Sequence, residues 1–205
     1  VQLAGTALGN LIIGKTGNSS TININSPIAV SDDISIYSGE LTVNNNITSS
    51  NSGSDILFNS SNITLNAPIT STGTSTVTIN SSGNVIDGIN GSFVGKIIST
   101  NLLLTGNGNF NLDSTTNNVS IISAGSNASR LGSLNFTNSN ALVVGSVGSN
   151  SGIYTTGTIA ISTLTGDLSV SQNINTQNTS TTALILNASQ STAAGVSSGG
   201  DLKFS

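Results

Sequence analysis

The chain contains no cysteine, histidine, methionine or tryptophan among its 205 residues. The absence of cysteine excludes a disulfide framework, a thiolate metal site and a cysteine nucleophile. Aromatic residues make up only 3% of the chain, so a core must be built from isoleucine, valine and leucine. These side chains pack well on pleated surfaces and favour many thin layers over one thick core.

Charged residues are also scarce, at 6% of the chain, against about 25% in an average domain. Only four residues are basic and they are scattered, which argues against a nucleic-acid partner. No apolar run approaches the roughly 20 residues that a membrane helix needs, so we expect no membrane insertion. Asparagine, serine, threonine and glycine are abundant instead, but a mean hydropathy of +0.17 and a net charge of −4 are unlike those of a disordered chain.

The sequence does contain an internal repeat of about 20 to 22 residues. In its two clearest copies, five apolar positions recur 22 residues later. Ile34, Ile36, Leu41, Val43 and Ile47 of the first copy correspond to Ile56, Phe58, Ile63, Leu65 and Ile69 of the second. Apolar residues alternate with period two through most of the chain, and glycine, asparagine and serine separate the alternating stretches. This pattern indicates short strands joined by corners.

Units of this length cannot bury a hydrophobic face alone, but stacked on one another they enclose a continuous aliphatic column. We therefore predict an all-β fold, a right-handed parallel β-helix of about ten rungs, formed by residues 1–205 as a single segment. An antiparallel sandwich is the competing architecture, although a sandwich has no reason to keep a 22-residue register. Residues 85–108 depart from the repeat and form either an irregular rung or a loop that contacts a partner.

Prolines and asparagines mark the predicted corners. Pro27 and Pro68 are the two prolines of the chain, and both precede the last isoleucine of a repeat. Asn25, Asn44 and Asn66 share another position, just after the second apolar residue of the same pattern. Because asparagine suits turns, stacked copies are predicted to form an amide ladder along one corner.

Few residues are suited to chemistry. Asp33 and Asp55 lie one repeat apart, with Asp32 adjacent, so stacking would bring two carboxylates within about one strand spacing. They form a weak Ca²⁺ site, a hydrolase carboxylate pair or two solvated carboxylates at strand starts. No catalytic residue, other metal ligand or cofactor is predicted. Tyr37 and Tyr154 are either sugar-stacking rings or ordinary surface tyrosines.

The stretches "GELTVNNNITSSNSG", "NITLNAPITSTGTS", "GDLSVSQNINT" and "GGDLKFS" resemble the rungs of filamentous-haemagglutinin-type and autotransporter-type adhesins. Those are very long right-handed β-helical proteins of Gram-negative cell surfaces. The resemblance implies an extracellular stalk segment of a large surface or secreted adhesin, without enzymatic activity. Its expected partners are surface glycans, other cells or abiotic surfaces, and further rungs of the same chain.

Two alternative functions stay open at this point. A carbohydrate-acting β-helix enzyme is disfavoured because histidine is absent and the acidic residues are scattered. An ice-binding β-helix would need a flat threonine array, which residues 74–78 begin and neighbouring repeats do not continue. The closing "GGDLKFS" opens a new strand, so we expect the isolated segment to associate end to end.

Overall fold

A computed structural model of the chain describes residues 9–91, 93–188 and 200–205. Within those ranges all regular elements are strands, and no helix is long and apolar enough to cross a membrane. The strands are β1 (Asn10–Gly14), β2 (Thr21–Ile24), β3 (Ile28–Val30), β4 (Asp33–Val43), β5 (Ile47–Ser49), β6 (Ile56–Leu65), β7 (Pro68–Ser71), β8 (Thr76–Ser81), β9 (Asn84–Asp87), β10 (Ile89–Asn90), β11 (Phe93–Val94) and β12 (Lys96–Thr105). They continue with β13 (Asn109–Leu112), β14 (Asn118–Ala124), β15 (Ser133–Asn138), β16 (Leu142–Val144), β17 (Ser146–Val147), β18 (Asn150–Ser151), β19 (Ile153–Thr155), β20 (Ile159–Thr163), β21 (Leu168–Val170), β22 (Ile174–Thr176), β23 (Leu184–Asn187) and β24 (Leu202–Phe204).

Twenty of these strands form one continuous sheet that winds around the core as a β-solenoid of about eight turns. Every pairing within this sheet is parallel, as in β4 on β6 and β6 on β8. The predicted parallel β-helix is therefore confirmed. The predicted number of ten rungs is close to the observed number and slightly too high.

The register between turns follows the repeat of the sequence. Ile34 pairs with Ile56, Ile36 with Phe58 and Leu41 with Ile63, so the 22-residue displacement is the length of one turn. β4 and β6 each run through two faces of the solenoid and bend between them at Ser38 and Ser60. One repeat of the sequence is thus one turn of the backbone.

The solenoid has three faces, which we name by their strands. Face A comprises β1, β8, the first halves of β4 and β6, and the second halves of β12 and β14. After β14 it continues as two separate columns, one of β16, β21 and β24 and the other of β19 and β22, which form two sides of the later turns. Face B comprises β2, β9, β13, β15, β20, β23 and the second halves of β4 and β6. Face C comprises β3, β5, β7 and the first halves of β12 and β14.

Aliphatic side chains from all three faces meet in one core. Each inward position repeats from turn to turn, so like side chains stack in columns. Columns on faces A, B and C respectively include Ile34, Ile56, Val77, Leu102 and Ile122; Leu41, Ile63, Val85, Phe110 and Leu134; and Ile47, Ile69 and Ile97, all fully or almost fully buried. The core is therefore continuous along the stack, as the repeat predicts.

Two short antiparallel hairpins interrupt the winding. One consists of β10 and β11 and the other of β17 and β18. Each is closed at its base by a pair of glycines, since the Gly95 N–H donates to the Gly88 carbonyl and the Gly152 N–H to the Gly145 carbonyl. Residues spent in these hairpins lengthen their turns beyond the repeat.

The irregular segment 85–108 is built from three parts. It begins in β9, continues through the first hairpin and ends in β12 and the corner after that strand. Ile97, Leu102 and Leu104 of β12 are completely buried. The segment therefore contributes to the core like an ordinary turn and differs from the turns before it by an inserted hairpin.

Candidate functional site

The predicted corner asparagines lie in one stack at the end of face B. The side-chain amide of Asn44 donates to the Asn25 oxygen at 2.9 Å, and that of Asn66 donates to the Asn44 oxygen at 2.9 Å. The Asn44 amide, in the middle of the stack, thus uses its donor on the turn before and its acceptor on the turn after. This arrangement fixes the corner and leaves little free hydrogen-bonding capacity for a ligand.

The two prolines occupy matching places on face C. Pro27 immediately precedes β3 and Pro68 is the first residue of β7, with Asn46 in the corresponding place of the intervening turn. The Asn46 carbonyl accepts a hydrogen bond from the Ile28 N–H at 2.9 Å. A proline at a strand start removes a donor that the corner does not need, so its role here is structural.

Asp33 and Asp55 start neighbouring segments of face A, and both carboxylates bind the next turn. Asp33 Oδ1 accepts from the Asp55 N–H at 2.8 Å, and Asp55 Oδ1 accepts from the Thr76 N–H at 2.7 Å. Asp32 Oδ2 accepts from the Ser31 hydroxyl at 3.4 Å. Among the described residues, no group of three or more acidic, histidine or cysteine side chains could hold a metal ion. The weak calcium site stays a prediction.

Asp167, just before β21, also accepts a backbone N–H of the next turn with its carboxylate. Asp167 Oδ1 accepts from the Asp201 N–H at 2.9 Å, and its other oxygen forms an ion pair with the Lys203 ammonium. The hydrogen bond from the Asp201 N–H and the neighbouring ammonium lower the pKa of the Asp167 carboxyl, and the Asp167 carboxylate in turn raises the pKa of Lys203. Both side chains face solvent, so the pair positions β24 against β21 without forming a buried charge.

A second acidic pair was missed by sequence reasoning. Asp87 pairs with Leu65 in the sheet and, by alternation, lies on the same side of β9 as the buried Val85. Burial raises the pKa of Asp87 from 3.8 to about 6, helped by the neighbouring Asp113 carboxylate and opposed by the Ser114 N–H. That N–H donates to Asp87 Oδ2 at 2.8 Å. The two acids belong to successive turns 26 residues apart, a spacing that the 22-residue repeat does not reveal.

A concave groove runs along the bend between faces A and B. It has a volume of about 610 Å³ and is lined by polar side chains of the first turns, including Tyr37, Glu40, Asn59, Asn62 and Asn80. Tyr37, Asn59 and Asn80 are stacked in register on successive turns. The groove is large enough to hold a ligand and brings together an aromatic ring, amides and one carboxylate.

Buried serines hold the floor of this groove. The Ser38 hydroxyl donates to the Ser60 hydroxyl at 3.2 Å, and the Ser60 hydroxyl also lies 3.0 Å from the Gly39 carbonyl. The Ser81 hydroxyl donates to the Ser61 carbonyl at 2.6 Å. These contacts satisfy the hydroxyls within the protein, so the polar groups left for other contacts are those of the outward side chains.

Tyr154 lies in a different setting from Tyr37. The Arg130 guanidinium carbon is 5.5 Å from the centre of the Tyr154 ring, within cation–π range. Arg130 also donates to the Thr155 carbonyl at 3.2 Å and to the Asn175 side chain at 2.8 Å. Tyr154 is thus part of a surface contact that joins two turns, and Tyr37 is the ring that the structure leaves in a groove.

On the described turns of faces A and C, the outward threonines do not form an extended flat array. Thr48 pairs with Thr70, but the next outward residue on face C is Ile98. Thr78 of the segment 74–78 lies between Leu57 and Leu103 on face A. The regular spacing that an ice-binding surface would use is therefore confined to two adjacent turns on this face.

Comparison with known proteins finds no match to this chain. No protein-family model matches the chain, and no curated protein or solved structure matches it. Any conclusion about function therefore rests on the fold and on the geometry of its surface.

Proposed function

We propose that the chain is a structural and adhesive stalk segment of a large bacterial cell-surface or secreted adhesin. The observation that most supports this proposal is the stack of about eight turns on a single aliphatic core. At a strand spacing of about 4.8 Å, such a stack is a rod about 40 Å long. A rod in which each strand is hydrogen-bonded to the turns on both sides is suited to hold a binding surface at a distance.

The surface chemistry agrees with this role. Amide ladders and hydroxyl contacts cover the corners, as in Asn25, Asn44 and Asn66, and the chain carries only 12 charged residues. A neutral, hydrated surface keeps a long rod soluble without attracting charged polymers indiscriminately. Attachment would then depend on shape and hydrogen bonding, and its expected targets are surface glycans, other cells or abiotic surfaces.

Bead attachment under flow tests this proposal. Beads carrying the purified chain would be passed over cultured cells, glycan-coated slides and bare glass, beside beads carrying the Leu65→Asp variant. Leu65 is completely buried, so an aspartate there should unfold the stack. We expect retention on at least one surface that depends on the folded chain. Equal retention of both bead types on every surface would contradict the proposal.

The two alternative functions have their own readouts in the same preparation. Release of reducing ends from a polysaccharide, abolished by replacing a single acid with its amide, would indicate a carbohydrate-acting enzyme. Thermal hysteresis of a cold solution would indicate ice binding. Either result, together with no folded-chain attachment, would replace the adhesive stalk.

A further inference from the structure

The groove between faces A and B brings several side chains with unused hydrogen-bonding groups together. On other parts of the described surface some outward asparagines pair between turns, as Asn135 does with the Asn111 oxygen at 2.7 Å. In the part of the chain that the structure describes, the side chains of Tyr37, Glu40, Asn59 and Asn80 make no hydrogen bond. Asn59 and Asn80 are in register on adjacent turns yet do not form a ladder.

These groups converge on one space. Tyr37, Asn59 and Asn80 form a column on face A, and Glu40 and Asn62 are neighbours in register on the facing slope of face B. The groove crosses at least four turns, which at about 4.8 Å a turn is about 14 Å. That length suits an extended chain of several sugar units better than a single small molecule.

The electrostatics of the groove select against an anionic ligand. None of the four basic residues of the chain lines it, and Glu40 is the only ionised side chain among its lining residues. An anionic polymer would therefore meet a negative charge with no cation to offset it. A neutral ligand rich in hydroxyls would meet amides that both donate and accept hydrogen bonds, and a carboxylate that accepts them.

We propose that this groove binds a neutral oligosaccharide. Tyr37 stacks its ring on the apolar face of one sugar, while Asn59 and Asn80 bind hydroxyls of the units on the next turns. Glu40 accepts hydroxyl hydrogen bonds from the opposite slope. Cleavage of a glycosidic bond generally needs two carboxyl groups flanking that bond, and the lining contains one, so the groove binds the sugar without cleaving it. This inference names the ligand of the proposed adhesive function and rests on it.

A panel of defined oligosaccharides tests the inference by calorimetry and by retention on immobilised sugars. The neutral probes are cellohexaose, maltohexaose, mannohexaose and N-acetylchitohexaose, and the anionic comparison is hexagalacturonate. We expect at least one neutral probe to bind at about millimolar or tighter affinity and hexagalacturonate not to bind. No binding by any neutral probe, or tighter binding of hexagalacturonate, would overturn the inference.

Four variants then locate the binding site. Tyr37→Ser and Asn59→Ala are each expected to weaken binding of the same probe about tenfold, while Tyr37→Phe keeps the ring and most of the affinity. Tyr154→Ser is the matched control, because it removes the other tyrosine of the chain far from the groove. Thermal unfolding of each variant checks that the stack is intact. Unchanged affinity in Tyr37→Ser and Asn59→Ala would place binding outside the groove.

The outcomes separate the two proposals. Folded-chain attachment to cells or glass without binding of any neutral probe would keep the adhesive stalk and reject the glycan groove. Groove-dependent binding of a neutral probe without bead attachment to any surface would support the glycan groove and contradict the adhesive stalk.

Discussion

Replacing Asp87 with asparagine should stabilise the protein at neutral pH. Asp87 is partly buried beside Asp113, and its pKa is raised from 3.8 to about 6. An asparagine keeps an oxygen that can accept the Ser114 hydrogen bond, now 2.8 Å from Oδ2, and offers an NH₂ group to the Asp113 carboxylate. The substitution therefore removes a desolvated charge without removing the contact between turns.

The change in the pKa of Asp87 sets the size of the expected gain in stability. At about 1.4 kcal/mol for each tenfold change in proton affinity, raising the pKa from 3.8 to about 6 costs at most about 3 kcal/mol at neutral pH. Water reaches the partly exposed carboxylate and screens its charge, so we expect a net gain of about 1 kcal/mol in the variant. For a chain of this size that gain raises Tm by about 3 °C.

The pH dependence distinguishes this mechanism from a general effect of asparagine. A raised carboxyl pKa means that the folded state binds the proton more tightly than the unfolded state, so the wild type recovers stability as the pH falls from about 6 to 3.8. Thermal unfolding monitored by circular dichroism should show a Tm difference at pH 7.5 that disappears near pH 3.5. Asp55→Asn, at an exposed strand start with the same kind of hydrogen bond, is the control. A Tm gain of equal size at both pH values, or a loss at pH 7.5, would refute the reasoning.

Three further substitutions test the packing of the stack. Phe58→Ala removes a fully buried ring and should lower the free energy of unfolding in urea by about 3–5 kcal/mol. Leu57→Ala, at the neighbouring outward position, should lower it far less. Equal losses would contradict the inward and outward directions assigned to these two side chains. Asn44→Ala breaks the amide ladder on both sides and should lower stability by about 1 kcal/mol, so an unchanged urea midpoint would show that the ladder contributes nothing. Gly95→Ala places a Cβ against the Leu65 carbonyl and should cost more than about 2 kcal/mol, and a tolerated alanine would mean that the hairpin base can shift.

The winding of the chain was predictable because the same pattern of apolar residues recurs at a fixed displacement. Ile34, Ile36 and Leu41 recur at the same displacement, and one shift of 22 residues satisfies all of them. An accidental alternation in one strand would not keep this register over a complete turn. Parallel stacking converts the displacement directly into strand pairing, so the sequence predicts which residues touch.

The hairpins were not predicted because they interrupt that repetition. Both use glycine at the same three places, Gly88, Gly91 and Gly95 in the first and Gly145, Gly148 and Gly152 in the second. Gly91 and Gly148 directly follow the first strand of each hairpin and have positive φ values of 61° and 59°, a conformation that glycine adopts without strain. The shared spacing was a usable signal, but a search for a period of about 22 residues passes over it.

The groove was only partly predictable. Tyr37 stands out in the sequence because the chain has two tyrosines, whereas Asn59 and Asn80 are two asparagines among many. Residue type alone does not tell whether an amide is bonded to the next turn or left free, since Asn111 and Asn135 pair within strands and Asn59 and Asn80, also within strands, do not. Asn44 and Asn66 sit where the corner aligns their amides, and Asn59 and Asn80 do not form that contact.

The scarcity of charge is a consequence of the stacking itself. Equivalent positions of successive turns lie about 4.8 Å apart, so a charge repeated in every turn would repel its copies along the whole rod. Asp33 and Asp55 are adjacent in such a column, and each carboxylate accepts a backbone N–H of the next turn, after which the column is continued by the uncharged Thr76. At Asp87, burial and the neighbouring Asp113 instead raise the pKa. Low charge is thus expected of any long stack of this kind and does not by itself indicate a ligand, so a ligand has to be inferred from departures from the ladder, as in the groove at Tyr37.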